Sequence, residues 1–485
     1  MAPSSVAAGE RPPVGAAPPA SPTGSKAALP GATDRWPQTG RLLPWMLAGF
    51  LVMLWVIPFD SVTLPIPLPV DSLLDRSVLP VLVVLWIGTM AWARPLAGSR
   101  YQPTAIDVFL ALFFAWTALS LVNNLETLIA QDEFELGLKK VCVLLGYFSL
   151  FWIVATVVRR SELQHWCLLF VILATVLAIG VIYEFRTGTN VFFNWTNDVL
   201  PNSISVAPVP PDPLFGRELV SGPTEHAIAT SAMLAMGLGF VLTGLMQAPT
   251  PLRKLFYAIS TALVLAACFA TVRKTGIVAP AAALITLCVY RPRAMVRLLP
   301  LGLVIVIAIQ GLAPGAMVRV KAQFVGGGGF WEQKSVEGRT EDYAAIKPDR
   351  AKNLRWGRGH GTYDAVKYRF LDNEYLGRII ETGVVGLVVY LLLILAVIRV
   401  AHRASRSKDP VRARVGVACV AGAVVYLVTN FVFDALSFAQ APYLFLFLAG
   451  LAVVAAPRRG EQLTEWSGPV AALRGATPGP ARAAP

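Results

Sequence analysis

The residues best suited to chemistry lie close together in the chain, between positions 357 and 386. At the start of this segment Gly357, Gly359 and Gly361 alternate with Arg358 and His360. Glycines in such a pattern let the backbone approach a ligand or a membrane surface closely. A tight turn explains the same spacing, and no Gly-Lys-Ser or Gly-Lys-Thr sequence follows to complete a phosphate-binding loop.

Charged residues follow at helical spacing. Glu374 and Glu381 are seven residues apart and share one face of a predicted helix, with Arg378 four residues after Glu374. This spacing gives Arg378 only a pairing role. Glu381 lies just inside an apolar run, where a carboxylate is costly and usually has a partner or a purpose. Asp372 has the residue type and position of a helix N-cap.

The elements that must position these residues are membrane-spanning helices. Of the 485 residues, 55% are hydrophobic and 15% are charged, whereas soluble domains have about 45–50% apolar and about 25% charged residues. This composition excludes a soluble multidomain enzyme and a disordered chain. The net charge of +13 comes mostly from short loops between apolar runs, which indicates membrane topology and not nucleic-acid binding.

Runs of about 20 apolar residues predict an all-α, polytopic integral membrane protein with about twelve transmembrane helices. The chain divides into a membrane domain at 41–312 with a loop at 184–225, a large loop at 313–378, and three further spans at 379–456. Residues 1–40 and 457–485 are predicted to be disordered tails. The predicted spans are 42–58, 77–93, 105–122, 141–158, 164–183, 226–245, 255–271, 274–290, 297–312, 379–398, 413–433 and 440–456.

Lysine and arginine in the short loops predict the orientation. The basic loops fall on one side of a twelve-span bundle, so that side and both termini are predicted to be cytoplasmic. The two long loops then lie outside. Arg273 and Lys274 depart from this trend, because they fall in an outside loop of almost no length. Either they have a function there or their side chains extend to the membrane interface.

Segment 357–387 resembles the signature of the O-antigen ligase and O-antigen polymerase superfamily, which are bacterial membrane enzymes of glycan assembly. That signature is a Gly-x-Gly-x-Gly turn, then His-Asn-x-Tyr-Leu, then Glu-x-Gly-x-x-Gly-Leu entering a span. The span number and the large preceding loop are also similar to the family. The matching residues are Gly357, Gly359, Gly361, Asn373, Tyr375, Leu376, Glu381, Gly383, Gly386 and Leu387.

Two further segments are similar to the family. Residues 217–226 resemble a stretch at the end of a periplasmic loop, with His226 where the family often has asparagine. Residues 271–276 resemble a Ser-Arg-Thr/Ser-Gly stretch at a periplasmic span junction. The resemblance implies a GT-C-like fold and a metal-independent, inverting glycosyl transfer at the periplasmic face of the bacterial inner membrane.

The donor implied by the resemblance is an oligosaccharide on polyprenyl diphosphate, and the diphosphate leaves as an anion. Arginine suits its oxygens, so Arg217 and Arg273 are the first candidates for donor binding, with Lys274 and Arg358 in addition.

The acceptor is a sugar hydroxyl on a glycan or on lipid A core, and it needs a base. Asp372 is the first candidate, His360 the second, and Glu381 stays open as a third. No metal or other cofactor is predicted, because the four histidines are far apart in sequence and lack neighbours at ligand spacing.

One departure from the family distinguishes the possible activities. Ligases carry a histidine before the asparagine of the motif, where this chain has Asp372. We therefore expect a polymerase that joins lipid-linked repeat units into O-antigen or exopolysaccharide. A ligase is the alternative, and a flippase for lipid-linked sugars is a third possibility. The lipid bilayer and other polysaccharide-assembly proteins are the expected partners, and nucleic acid is not.

Overall fold

The computed structural model describes most of the apolar part of the chain. The predicted tail at 1–40, most of the one at 457–485 and most of the loop at 313–378 lie outside the described residues. The described residues are 42–58, 61–65, 73–92, 101–200, 205–206, 213–214, 217–218, 220–316, 318, 347, 353–364, 367–369, 371–458, 461 and 463.

Helices dominate the described part of the chain, which makes the protein an all-α, polytopic membrane protein. Two pairs of two-residue antiparallel strands add to them: β1 (Val62–Thr63) with β2 (Ser205–Val206), and β3 (Pro213–Leu214) with β4 (Arg217–Glu218). The helices are α1 (Leu42–Val56), α2 (Leu74–Trp92), α3 (Ala105–Asn123), α4 (Leu125–Ala130), α5 (Phe134–Val157), α6 (Leu163–Thr187), α7 (Val191–Val199), α8 (Ala227–Gln247), α9 (Pro251–Ala270), α10 (Thr275–Tyr290), α11 (Pro292–Arg297), α12 (Leu299–Leu312), α13 (Glu374–Ser405), α14 (Pro410–Thr429) and α15 (Gln440–Ala455).

Side-chain caps account for where several helices begin. Thr104 and Asp107 form a capping box at the start of α3, and the Thr250 hydroxyl accepts the N–H of Arg253 in α9. Asp409 caps α14 in the same way, with Pro410 at the first helical position. Each cap satisfies backbone N–H groups that have no partner within the helix.

Eight helices among the described residues are long and apolar enough to cross a membrane: α2, α3, α5, α6 with the short 3₁₀ turn before it, α8, α9, α13 and α14. Four more are apolar but have only 14–16 residues: α1, α10, α12 and α15. Each predicted span falls on one of these helices. The count of twelve stays a prediction, because the four short helices fall below the usual spanning length.

Helix α8 lies at the centre of the bundle. Residues 229–245 are buried without interruption, which is typical of a helix enclosed by others. Small residues permit this close packing, since a Cβ on Gly239 would lie 3.0 Å from the carbonyl oxygen of Ala418 in α14. In contrast, α2 and α12 carry exposed Ile87 and Leu303, as expected for lipid-facing helices.

Polar contacts occur at both ends of the bundle and join segments that were predicted to share a side. At one end, Glu461 accepts hydrogen bonds from Arg160 and Arg412, both at 2.8 Å. At the other end, which we call the site end, Tyr443 donates to Asp75 at 3.0 Å. The site end also carries residues 220–226, 271–276, 353–364 and 371–381.

Candidate functional site

A break in α13 shapes the candidate site. Gly383 has φ of 70° and ψ of −175° in the middle of the helix. A side chain would be strained at this positive φ, and its Cβ would overlap the carbonyl oxygen of Arg355. Helix α13 therefore has a short first part, residues 374–382, and a long second part.

The glycine turn, which we define as residues 353–361, fills this break. Backbone groups freed by a helix break need partners, above all within a membrane. The N–H of Gly359 donates to the carbonyl of Glu381 at 3.0 Å, and the N–H of Val384 donates to the carbonyl of Leu354 at 2.9 Å. The turn thus replaces the hydrogen bonds that the break removes.

The alternating glycines are required by this packing. Gly357, Gly359 and Gly361 have φ of 72°, 122° and 73°. A Cβ on Gly357 would overlap the backbone of Glu381. Of the two interpretations drawn from the sequence, the structure shows the tight turn, and its backbone closely approaches α13.

Helix α3 holds the turn and the broken helix together. The Ser120 hydroxyl lies 2.6 Å from the carbonyl oxygen of Trp356 and 3.0 Å from that of Glu381. The indole N–H of Trp116 donates to the carbonyl of Thr382 at 2.8 Å. The rings of Trp116 and Trp356 stack with centroids 4.5 Å apart. These contacts fix the two segments that carry His360 and Glu381.

Four side chains meet between the turn and α13, and we call them the Arg378 cluster: His360, Glu374, Arg378 and Glu381. The guanidinium of Arg378 contacts the other three. Its Nε lies 2.6 Å from Oε1 of Glu374, its Nη2 lies 2.7 Å from Oε2 of Glu381, and its Nη1 lies 2.7 Å from Nδ1 of His360. All four side chains are at most 8% exposed. The predicted pair of Glu374 and Arg378 is confirmed, and the role of Arg378 is larger than pairing.

Burial and charge keep His360 neutral. Burial lowers the pKa of His360, and the charges of Arg378 and Lys140 lower it further, against the opposing effect of Glu381. The imidazole is therefore uncharged at neutral pH.

Three other motif residues have structural roles. The side-chain oxygen of Asn373 accepts the N–H of Tyr375 at 2.9 Å and so caps α13. The Tyr375 hydroxyl donates to the carbonyl of Leu427 in α14 at 2.7 Å. Gly386 leaves room for Thr382, because a Cβ at position 386 would overlap the Thr382 side chain.

Asp372 lies outside this framework. The interpretation of Asp372 as the N-cap is wrong by one residue, because α13 begins at Glu374 and Asn373 supplies the cap. Asp372 is exposed. Its carboxylate makes no hydrogen bond or ion pair with any other residue that the structure describes.

Arg358 belongs to a second group, which we call the Glu133 cluster: Glu133, Arg358, Lys367 and Tyr368. Oε2 of Glu133 lies 2.7 Å from Nη2 of Arg358, and its Oε1 lies 2.7 Å from Nζ of Lys367. The Tyr368 hydroxyl donates to Oε1 as well. Burial alone would raise the pKa of Glu133, but these donors and charges hold it below its ordinary value. The charge of Arg358 is thus largely balanced by Glu133.

His226 and Arg273 lie together. Nδ1 of His226 accepts the N–H of Ile228 at 3.2 Å and caps α8. Its Nε2 lies 3.3 Å from Nη2 of Arg273. Lys274 follows at the N-terminal boundary of α10, half-buried. Arg217 has its backbone in β4, and its side chain lies outside the part of the chain that the structure describes.

The loop between α14 and α15 connects the His226–Arg273 pair with the Arg378 cluster. The rings of His226 and Phe438 are 6.1 Å apart, and those of Phe438 and Phe433 are 5.5 Å apart. The N–H of Glu374 then contacts the carbonyl of Phe433 at 3.3 Å. Residues from sequence segments about 150 positions apart therefore form one continuous region.

Sequence reasoning missed two cations of this region, Arg76 in α2 and Lys140 in α5. Both act on Glu225, which is exposed: partial desolvation by its surroundings raises the pKa of Glu225, and the positive charges of Arg76 and Lys140 oppose that effect. Both occur near the outside end of a predicted span. Arg273 stands out in the sequence because it is a basic residue on the predicted outside, against the charge trend. The same criterion applies to Arg76 and Lys140.

Glu184 is a further residue that sequence reasoning missed. Its carboxylate accepts the backbone N–H groups of Ser221 at 3.1 Å and Gly222 at 2.9 Å. It also accepts the side-chain amide of Asn190 at 3.1 Å. Glu184 therefore fixes the segment that leads into His226.

The described residues include no group of three or more His, Cys, Asp and Glu side chains placed to hold a metal ion. The chain matches no protein-family model and no curated protein sequence. The site itself and the resemblance in the motif are therefore the observations that bear on function.

Proposed function

We propose that the protein is a membrane glycosyltransferase that polymerises glycan repeat units carried on polyprenyl diphosphate. The supporting observation is the convergence at the site end. Three polar segments, at 220–226, at 271–276 and in the described parts of 353–381, meet there although apolar helices separate them in the chain. Such a convergence of polar groups at the end of an apolar bundle is typical of a binding site.

Donor binding is assigned to the cations of this region. Arg273, next to His226, faces the diphosphate of the donor, and Arg76 and Lys140 add positive charge. Preorganised cations stabilise the negative charge that develops as the sugar–phosphate bond breaks. Lys274 and Arg217 stay candidates for the same role. Arg358 is a weaker one, because Glu133 already balances its charge.

Acceptor activation is assigned to Asp372. A general base needs a basic atom that is accessible to the acceptor hydroxyl. Asp372 is exposed, whereas Glu381 is buried and 2.7 Å from Arg378. Nδ1 of His360 is occupied as well, because it lies 2.7 Å from Nη1 of Arg378.

A ligase that transfers the finished glycan to lipid A core is the second candidate. The observation that favours it is the position of His360. No histidine precedes Asn373 in the motif, yet the glycine turn brings His360 to the first part of α13, 3.3 Å from Glu381. In space, the chain thus has a histidine beside the motif.

The membrane arrangement completes the proposal. We propose twelve spans in a GT-C-like fold, in a bacterial inner membrane with both termini cytoplasmic, and in this arrangement the site end faces the periplasm. Polyprenyl-linked donor and glycan acceptor then meet at the outer surface of the bilayer. Cysteine accessibility at position 253, predicted cytoplasmic, and at position 372, predicted periplasmic, tests this orientation.

A deletion strain tests the function. Polyprenyl-linked glycans are extracted and sized after complementation with wild type, Arg273→Ala or the matched control Arg253→Ala, an exposed arginine at the start of α9. We expect single repeat units to accumulate without the protein and with Arg273→Ala, and normal polymer with Arg253→Ala.

Other outcomes of this experiment identify the alternatives. Long chains stranded on the lipid carrier indicate a ligase. Lipid-linked units that stay on the cytoplasmic side indicate a flippase. Normal polymer with Arg273→Ala, at equal amounts of protein in the membrane, contradicts the assignment of Arg273 to the diphosphate.

A further inference from the structure

The protonation of His360 follows from its contact with Arg378. An arginine side chain carries only donors and does not lose its proton in proteins. Nη1 of Arg378 lies 2.7 Å from Nδ1 of His360. A proton on Nδ1 would place two hydrogens between these nitrogens. Nδ1 must therefore present its lone pair to Arg378.

Glu381 is the competing partner for Nδ1. Its Oε2 lies 3.3 Å from Nδ1, which is longer than the contact with Arg378 by 0.6 Å. The same Oε2 already accepts Nη2 of Arg378 at 2.7 Å. Glu381 is thus satisfied by Arg378, and it does not need a proton from His360.

Glu374 contacts the guanidinium at its third nitrogen. Its Oε1 lies 2.6 Å from Nε of Arg378, which is close enough for an ion pair but lacks the geometry of a hydrogen bond. Its Oε2 accepts the N–H of Leu436 at 2.9 Å, and its own N–H donates to the carbonyl of Asn430 at 2.9 Å. The hydrogen bonds of the two Nη nitrogens, with His360 and Glu381, therefore set the orientation of the Arg378 fork.

We infer that Arg378 is a positioning residue that holds His360 in the neutral form with its proton on Nε2. His360 then offers a hydrogen bond to a substrate oxygen and does not act as the general base. The inference deepens the proposed glycosyl transfer and depends on it for the identity of the substrate. The proton position itself does not depend on that function.

Nitrogen NMR of the full-length protein in lipid nanodiscs tests the proton position. The protein is labelled with ¹⁵N-histidine, and the His360 signals are assigned by their loss in His360→Gln, with His165→Gln as the control. We expect Nδ1 without a bonded proton and Nε2 with one at pH 7. A proton on Nδ1, alone or together with one on Nε2, overturns the inference whether or not the protein transfers glycans.

Two substitutions test the role as a donor. His360→Gln places an amide N–H near the position of Nε2, whereas His360→Asn retains only an acceptor toward Arg378. Neither amide can act as a base. We expect the rate of polymer formation by His360→Gln to stay within about tenfold of the wild-type rate. The rate of His360→Asn should be at least about tenfold lower than that of His360→Gln. Losses of about 10²–10⁴-fold in both variants, with equal protein in the membrane, would show that His360 is the base.

Discussion

The Arg378 cluster and the Glu133 cluster use opposite charge ratios within one site. In the first, two carboxylates and an imidazole share one guanidinium, and all are buried. In the second, one carboxylate is shared by an arginine, a lysine and a tyrosine hydroxyl, and Lys367 is 46% exposed. In both, a single central side chain pairs with all of its charged neighbours. The clusters differ in solvent access. When the central side chain is removed, water can solvate the exposed partner in the Glu133 cluster, but the partners in the Arg378 cluster stay buried.

Arg378→Met is expected to have the largest effect. The substitution leaves Glu374 and Glu381 buried without their shared cation. Removing one partner of a buried ion pair lowers the free energy of unfolding by about 3–5 kcal/mol. Thermal unfolding in detergent measures the loss. The control is Arg253→Met at an exposed position, for which we expect a loss in the free energy of unfolding of about 0.5 kcal/mol or less. Equal shifts in the two variants would contradict the central role of Arg378.

Glu133→Gln is expected to have an intermediate effect of about 1–3 kcal/mol on the free energy of unfolding. The amide keeps one acceptor but loses the charge that pairs with Arg358 and Lys367. Water reaches Lys367, so the remaining cations are less destabilising than buried carboxylates. A loss as large as that of Arg378→Met would remove the distinction between the clusters.

Acid provides a further test of the Glu133 cluster. The pKa of Glu133 is held below its ordinary value of 4.5 in the folded protein. The stability it contributes is therefore fully present above pH 4.5 and is lost as the pH falls through the lower, folded value. Unfolding measured between pH 6 and pH 3 should show a shallower acid decline in Glu133→Gln than in wild type. Parallel curves would exclude Glu133 as a contributor.

Lys367→Met is expected to have the smallest effect on the free energy of unfolding, below that of Glu133→Gln. Its side chain is nearly half exposed, so solvent screens the pair with Glu133. Chemical denaturation in the presence and absence of 0.5 M salt measures it. A loss that exceeds that of Glu133→Gln would show that Lys367, and not Glu133, is central to the cluster.

The helices and their local contacts could be predicted from the sequence. Apolar runs and i,i+4 spacing act over short distances, so they located the helices and the pair of Glu374 and Arg378. The N-cap was misplaced by one residue, because Asp372 and Asn373 are equally good capping types. Only the actual start of α13 distinguishes them.

The cluster partners could not be predicted. His360 meets Glu381 because α13 breaks at Gly383, and a glycine within a helical pattern does not reveal what backbone will pack against it. Arg358 contacts Glu133 from a position 225 residues away. No spacing rule connects residues so distant in sequence.

The break at Gly383 also bears on how the protein enters the membrane. Residues 384–405 begin with an uninterrupted apolar stretch and can insert as a helix at once. Residues 374–382 carry Glu374, Arg378 and Glu381, and their last carbonyls depend on the glycine turn and α3 for partners. We therefore expect this short helix to settle only after α3 and the turn have assembled around it. Biogenesis, and not only chemistry, then depends on the order in which these segments meet.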